Sequence, residues 1–142
     1  LASPKQKEDF LMIQDHVYKY YIAQNRSCAE SIFLAADEEY RLGASAQALK
    51  AAGAFSGGAC CGSLCGAAAG GAMAIALATG GPEEPAHDNV EMREKIKAFM
   101  AEFTQAAGAE VCREVKPTHF QEGQRCLATV ELAAKILEKY LK

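Results

Sequence analysis

Residues 57–85 read "GGACCGSLCGAAAGGAMAIALATGGPEEP". Within the first fifteen of these positions stand three cysteines and six glycines, followed by an alanine-rich run and a Gly-Gly-Pro breaker. Glycine inside a helix costs roughly 1 kcal/mol relative to alanine, so a cluster of glycines needs a reason. Gly62, Gly66 and Gly70 recur at every fourth position, which on a helix opens a groove without side chains along one face. A second helix can approach closely there. The spacing predicts a central, buried Gly/Ala-rich helix closed at Thr79 by "GGPEEP".

The flanking segments carry the helical period. Phe10, Ile13, Val17 and Tyr20 share one face. Ser27 and Glu30 form a capping-box pattern, predicting a helix from there to about Leu42, with Gly43 as its stop. A short helix is expected over 46–52. Asp88 or Asn89 suits the cap of the next, faced by Ile96, Phe99, Met100 and Phe103 and ended by Gly108. A connector holding Cys112, Pro117 and His119 leads to a last helix faced by Leu127, Val130, Ala134, Leu137 and Leu141. No segment alternates with period two. The expectation is all-α: one domain over 1–142, a bundle of five or six helices.

Composition narrows the function. Half of the 142 residues are apolar, 23% are charged, and the net charge is −3. No basic stripe exists, which argues against nucleic acid as a partner. The longest apolar run, 64–79, is short for a bilayer span, so the chain is not expected to cross a membrane. The glycines lack the Lys-Ser/Thr ending of a phosphate loop and follow no strand, so no nucleotide is expected. No pair of carboxylates stands out for acid–base work. The opening residues, LASPKQ, fit a processed export protein or an expression remnant, leaving cytoplasm and periplasm both open.

The chemistry therefore rests on six cysteines. There is no CxxC and no CxxCH, which excludes a thioredoxin-type site and covalent haem c. Cys61 and Cys65, four apart, would stack on one helix, with Cys60 just before it or in its first turn. Cys28 follows the proposed cap Ser27, and Cys126 opens the last helix one turn before Val130; both would face inward. Helix starts favour thiolates. Cys112 lies in the connector, within reach of the same place. Tyr18, Tyr20 and Tyr21 form a cluster suited to core and rim, or to shielding a redox centre.

Cys65-Gly66-Ala67-Ala68-Ala69-Gly70 reads CGAxxG and, with a cysteine before it and two after, resembles the C_GCAxxG_C_C family of redox proteins. The matching positions are Cys28 in "SCAES", Cys65, Cys112 in "VCREVKP" and Cys126 in "RCLATVELA"; Cys60 and Cys61 are additions. The resemblance implies redox or metal chemistry, and the export signals of some relatives would fit the short start. Two mechanisms follow. Cys28, Cys65, Cys112 and Cys126 would ligate an iron–sulfur cluster or another thiolate-bound metal for electron transfer or reductive chemistry, with Cys60, Cys61 and His119 as spare ligands. Alternatively, the cysteines would pair and exchange as a metal-free dithiol. A third reading keeps them structural, as buried or disulfide-bonded thiols of an exported binding protein. A separate redox protein would be the partner, and a homo-oligomer is possible.

Overall fold

A computed structural model describes residues 11–142; Phe10 and the LASPKQ start lie outside the described residues. Among the described residues seven α-helices follow one another: α1 Ile13–Tyr18, α2 Cys28–Tyr40, α3 Ala46–Ala52, α4 Gly66–Ala78, α5 Val90–Ala107, α6 Cys112–His119 and α7 Leu127–Leu141. The all-α expectation holds. Among the described residues the only extended pairings are the isolated bridges Leu64–Val111 and Gln121–Arg125.

The helix beyond the expected five or six is α6. The connector reads as a loop because it contains Pro117, yet α6 is so short that Pro117 stands near its end. The missing N–H of Pro117 leaves the Arg113 carbonyl without its helical partner, and the helix ends two residues later at His119.

α4 is the buried axis, packed against α2, α5 and α7. A Cβ on Gly70 would stand 2.5 Å from both the Ala29 carbonyl oxygen and Ile32 Cγ2. A Cβ on Gly71 would stand 2.5 Å from the Phe99 ring. No side chain fits at either place, so the bare positions are what bring α2 and α5 into contact with α4. Around this axis Ile13, Val17, Ile32, Phe33, Ile75, Phe99, Phe103, Val130 and Leu137 are fully buried. Phe99 lies 6.4 Å from Phe103 and meets Tyr140 edge-on at 6.2 Å.

The predicted caps are largely realised. The Glu30 amide donates to Ser27 Oγ at 3.3 Å and the Ser27 amide to Glu30 Oε1 at 3.0 Å, a closed capping box. Asn89 Oδ1 accepts the Met92 amide, and Gly108 ends α5 at φ +85. α2 stops earlier than expected, because Arg41 rather than Gly43 turns left-handed at φ +51. α1 is held at both ends. Glu138 Oε1 accepts the Ile13 amide at 2.8 Å, and His16 lies between Glu38 and Glu39 at 3.0 and 2.8 Å.

The largest departure concerns 57–65. The helix does not reach back to Cys61; it starts at Gly66. Gly57, Gly58, Ala59 and Cys60 all have φ between +58 and +69, and Cys61 stands at φ −140. Successive left-handed residues cannot continue a right-handed helix. Cys61 therefore does not stack on Cys65, Cys60 does not occupy a helix start, and Gly62 stands outside the α4 groove. Both extra cysteines are exposed.

Candidate functional site: four helix starts around one cavity

Each of Cys28, Cys65, Cys112 and Cys126 stands at the beginning of a helix. Cys28 and Cys112 are the first residues of α2 and α6, while Cys65 and Cys126 are the N-cap residues of α4 and α7. At such positions unpaired amides and the positive end of the helix dipole favour negative charge. All four line a single cavity of about 170 Å³, together with Tyr21, Gly58, Lys116, Phe120, Arg125 and Thr129.

Two local devices bring them there. The first is a short antiparallel ladder between 63–65 and 110–112. The Cys65 amide donates to the Glu110 carbonyl at 2.8 Å and the Cys112 amide to the Ser63 carbonyl at 2.6 Å, on either side of the Leu64–Val111 bridge. Side chains alternate along such a ladder, so Cys65 and Cys112 leave it on the same face. Gly58 completes this arrangement: a Cβ there would stand 2.5 Å from Cys112 Cβ. Gly58 thus makes room for a thiol from another segment.

The second device is Tyr21. α1 widens into a π-turn over Lys19–Ala23, and within it Tyr21 is buried. Its hydroxyl accepts the Cys126 amide at 3.0 Å and stands 3.7 Å from Cys28 Sγ. Arg125, itself left-handed at φ +52, lays its guanidinium 4.1 Å from the centre of the Tyr21 ring and donates to the Tyr21 carbonyl. Tyr21 consequently ties the starts of α2 and α7 together.

The electrostatics separate the thiols. Cys126 is lowered to about 6, first because the Cys28 thiol donates a hydrogen bond to it, with the charges of Lys116 and His119 and the Tyr21 hydroxyl adding to the effect. Cys28 moves the other way, well above the ordinary thiol range, because its proton is engaged by Cys126 and because it is buried. Burial also raises Cys65, outweighing the Ala67 and Ala68 amides that favour its thiolate. Burial likewise raises the Tyr21 hydroxyl, keeping its proton available for a sulfur. The result is one thiol shifted toward ionisation and a second shifted toward keeping its proton, both lining the same cavity.

Among the described residues, no three His, Cys, Asp or Glu side chains are gathered closely enough to hold a metal ion. The four cysteines share a cavity without forming a coordination shell. His119 does not line the cavity; its Nε2 lies 3.1 Å from the Ala107 carbonyl. Sequence reasoning placed Tyr21 in a cluster without separating it from Tyr18, which is exposed, and Tyr20. It passed over Lys116, Arg125 and Thr129. Lys116 is one turn after Cys112, a signal that becomes visible only once α6 is known to be a helix.

The family model described as "Putative redox-active protein (C_GCAxxG_C_C)" matches residues 26–140. No curated protein and no solved structure matches the chain. The matched range contains Cys28, the Cys65–Gly70 run, Cys112 and Cys126. The match covers most of the chain, and the protein belongs to this redox-active family.

Proposed function

We propose that this member of the redox-active family works by thiol–disulfide exchange, with Cys126 as the attacking thiolate and Cys28 as the resolving thiol. The observation that carries the reading is that Cys28 and Cys126 line one accessible cavity and meet at the Tyr21 hydroxyl, with the Cys126 thiol lowered to about 6 and the Cys28 thiol raised well above its ordinary range. An attacking thiol works best when its pKa lies near ambient pH, because it is then ionised yet still nucleophilic. The Cys126 thiolate attacks one sulfur of a disulfide RSSR, forming a Cys126–SR mixed disulfide and releasing RS⁻. Cys28 then loses its proton to that thiolate and attacks Cys126 Sγ. The products are a Cys28–Cys126 disulfide and a second RS⁻: the substrate gains two electrons and the protein loses two. The buried thiol starts as a poor nucleophile, which delays resolution until the mixed disulfide has removed the negative charge beside it. A dithiol of a separate redox protein would restore the reduced form.

The thiolate-bound metal or iron–sulfur centre on Cys28, Cys65, Cys112 and Cys126 is the second reading, favoured by all four lining one cavity. Such a centre would supply electron transfer. It requires the cavity to contract, since no three of these side chains are now within ligating reach of one ion. One experiment separates the two. Protein purified anaerobically is analysed for metal and free thiols, then treated with one equivalent of an organic disulfide and mapped by peptide mass. The exchange reading expects metal-free protein that loses two thiols and links Cys28 to Cys126. Stoichiometric metal with all four thiols protected would overturn it in favour of the centre. Unreactive, metal-free thiols would overturn both.

A further inference from the structure

Apart from the Cys126 thiolate, the charged side chains that line the cavity are cationic. Lys116 and Arg125 line it, and no Asp or Glu does. Glu30, whose capping box closes on the lining residue Ser27, is already paired with Arg26 at 3.1 Å. Four helix starts point their positive ends at this space. A separate observation concerns Thr129. It is only 1% exposed, lines the cavity, and its Oγ1 has no hydrogen-bond partner among the described residues. Leaving a buried hydroxyl unpaired forfeits its solvation without return, so such a group calls for a ligand or a water. The cavity of about 170 Å³ has room for a handful of heavy atoms. It is too small for a folded-out polypeptide segment.

We propose that Lys116, Arg125 and Thr129 form an anion-binding subsite beside Cys126, and that it selects low-molecular-weight disulfides that carry a carboxylate. The assignment rests on the exchange reading above and names its substrate class. Thr129 donates its free hydroxyl to a carboxylate oxygen, and Lys116 supplies the charge. Arg125, fixed on Tyr21, supplies a second charge with little freedom to move. The carboxylate thereby holds the adjacent S–S bond against the Cys126 sulfur. Exchange then proceeds with the same balance, RSSR plus the protein dithiol giving two RSH and the protein disulfide.

The test uses two aromatic disulfides, dithiobis(nitrobenzoate) with two carboxylates and neutral dithiodipyridine. The protein is the reduced full chain with the exposed thiols removed by Cys60→Ser and Cys61→Ser. The quantity read is the ratio of single-turnover rate constants, dianion over neutral, divided by the same ratio for free mercaptoethanol. Taking a ratio cancels any change in the fraction of Cys126 ionised. The expected value at low salt is roughly tenfold or more above the free thiol, collapsing as salt is added. Thr129→Val and Lys116→Gln each lower it severalfold. A ratio equal to that of the free thiol, insensitive to salt and to both variants, would overturn the subsite. If neither probe leaves a Cys28–Cys126 disulfide, the exchange reading itself fails. If the neutral probe leaves that disulfide without any preference for charge, only the subsite fails. Should a variant not fold, the salt dependence of the parent chain still decides.

Discussion

Cys126 and Cys28 differ little as residues; their surroundings make them opposites. Because the hydrogen bond from Cys28 is the largest cause lowering Cys126, Cys28→Ala is expected to move the Cys126 titration from about 6 back toward the ordinary thiol range. Lys116→Gln should raise it less, and Cys61→Ser not at all. Thiolate ultraviolet absorbance against pH measures all three; an unmoved transition in Cys28→Ala would separate the two sulfurs. Tyr21→Phe removes the acceptor of the Cys126 amide and should slow formation of the Cys28–Cys126 disulfide by loosening both helix starts. That Cys28 sits at a helix start was legible, since Ser27 and Glu30 announce the cap. That Cys126 would be the acidic member was not, because the groups that make it so come from residues 28, 21, 116 and 119.

At the scale of elements, the glycines before and within α4 divide into three kinds. Gly70 brings α2 against the helix, and Gly70→Ala is expected to destabilise by about 1–3 kcal/mol through overpacking. Gly66 is more forgiving, with its would-be Cβ 3.1 Å from the Ala29 amide nitrogen and 3.2 Å from Cys28 Cβ. Gly66→Ala should be mild, and Gly66→Leu disruptive. Gly58 is the third kind, left-handed at φ +69 and pressed on Cys112. Gly58→Ala should expel Cys112 from the cavity, raising its alkylation rate in the folded protein. Thermal unfolding and timed alkylation check these outcomes, and an undisturbed Gly70→Ala would deny the close contact of α2 and α4. The fourfold glycine spacing was a correct signal for Gly66 and Gly70. It misled at Gly62 because periodicity carries no information on backbone handedness.

For the molecule as a whole, redox state and stability are coupled. A Cys28–Cys126 disulfide closes a loop of roughly a hundred residues, and in the chain-entropy view this adds up to about 4–5 kcal/mol. Oxidised protein should therefore melt about 10 °C or more above reduced protein; equal melting points would count against this pairing. The reduced form should also depend on pH. The folded state releases the Cys126 proton at lower pH than the unfolded chain does. Its contribution is present above the ordinary thiol pKa and is lost as pH falls through about 6. Cys28 and Cys65 act oppositely: the folded state keeps protons that the unfolded chain gives up, so stability declines above the ordinary thiol range. Urea midpoints of reduced protein should rise between about pH 6 and the ordinary thiol pKa, then fall.

What the amino-acid order determined alone was the helical period, most of the caps, the glycine-lined axis of α4 and the helix starts that carry Cys28 and Cys126. These are local properties, fixed by residues within a few positions of one another. Tertiary structure decided which sulfurs meet. Cys112 enters through a ladder of two hydrogen bonds between 110–112 and 63–65, Cys126 is tied to Cys28 through a tyrosine about a hundred positions away, and Cys60 and Cys61 are turned out by a left-handed run. A cavity, its charge and the acidity of a thiol within it are sums over groups distant in sequence, and they exist only after the helices have packed.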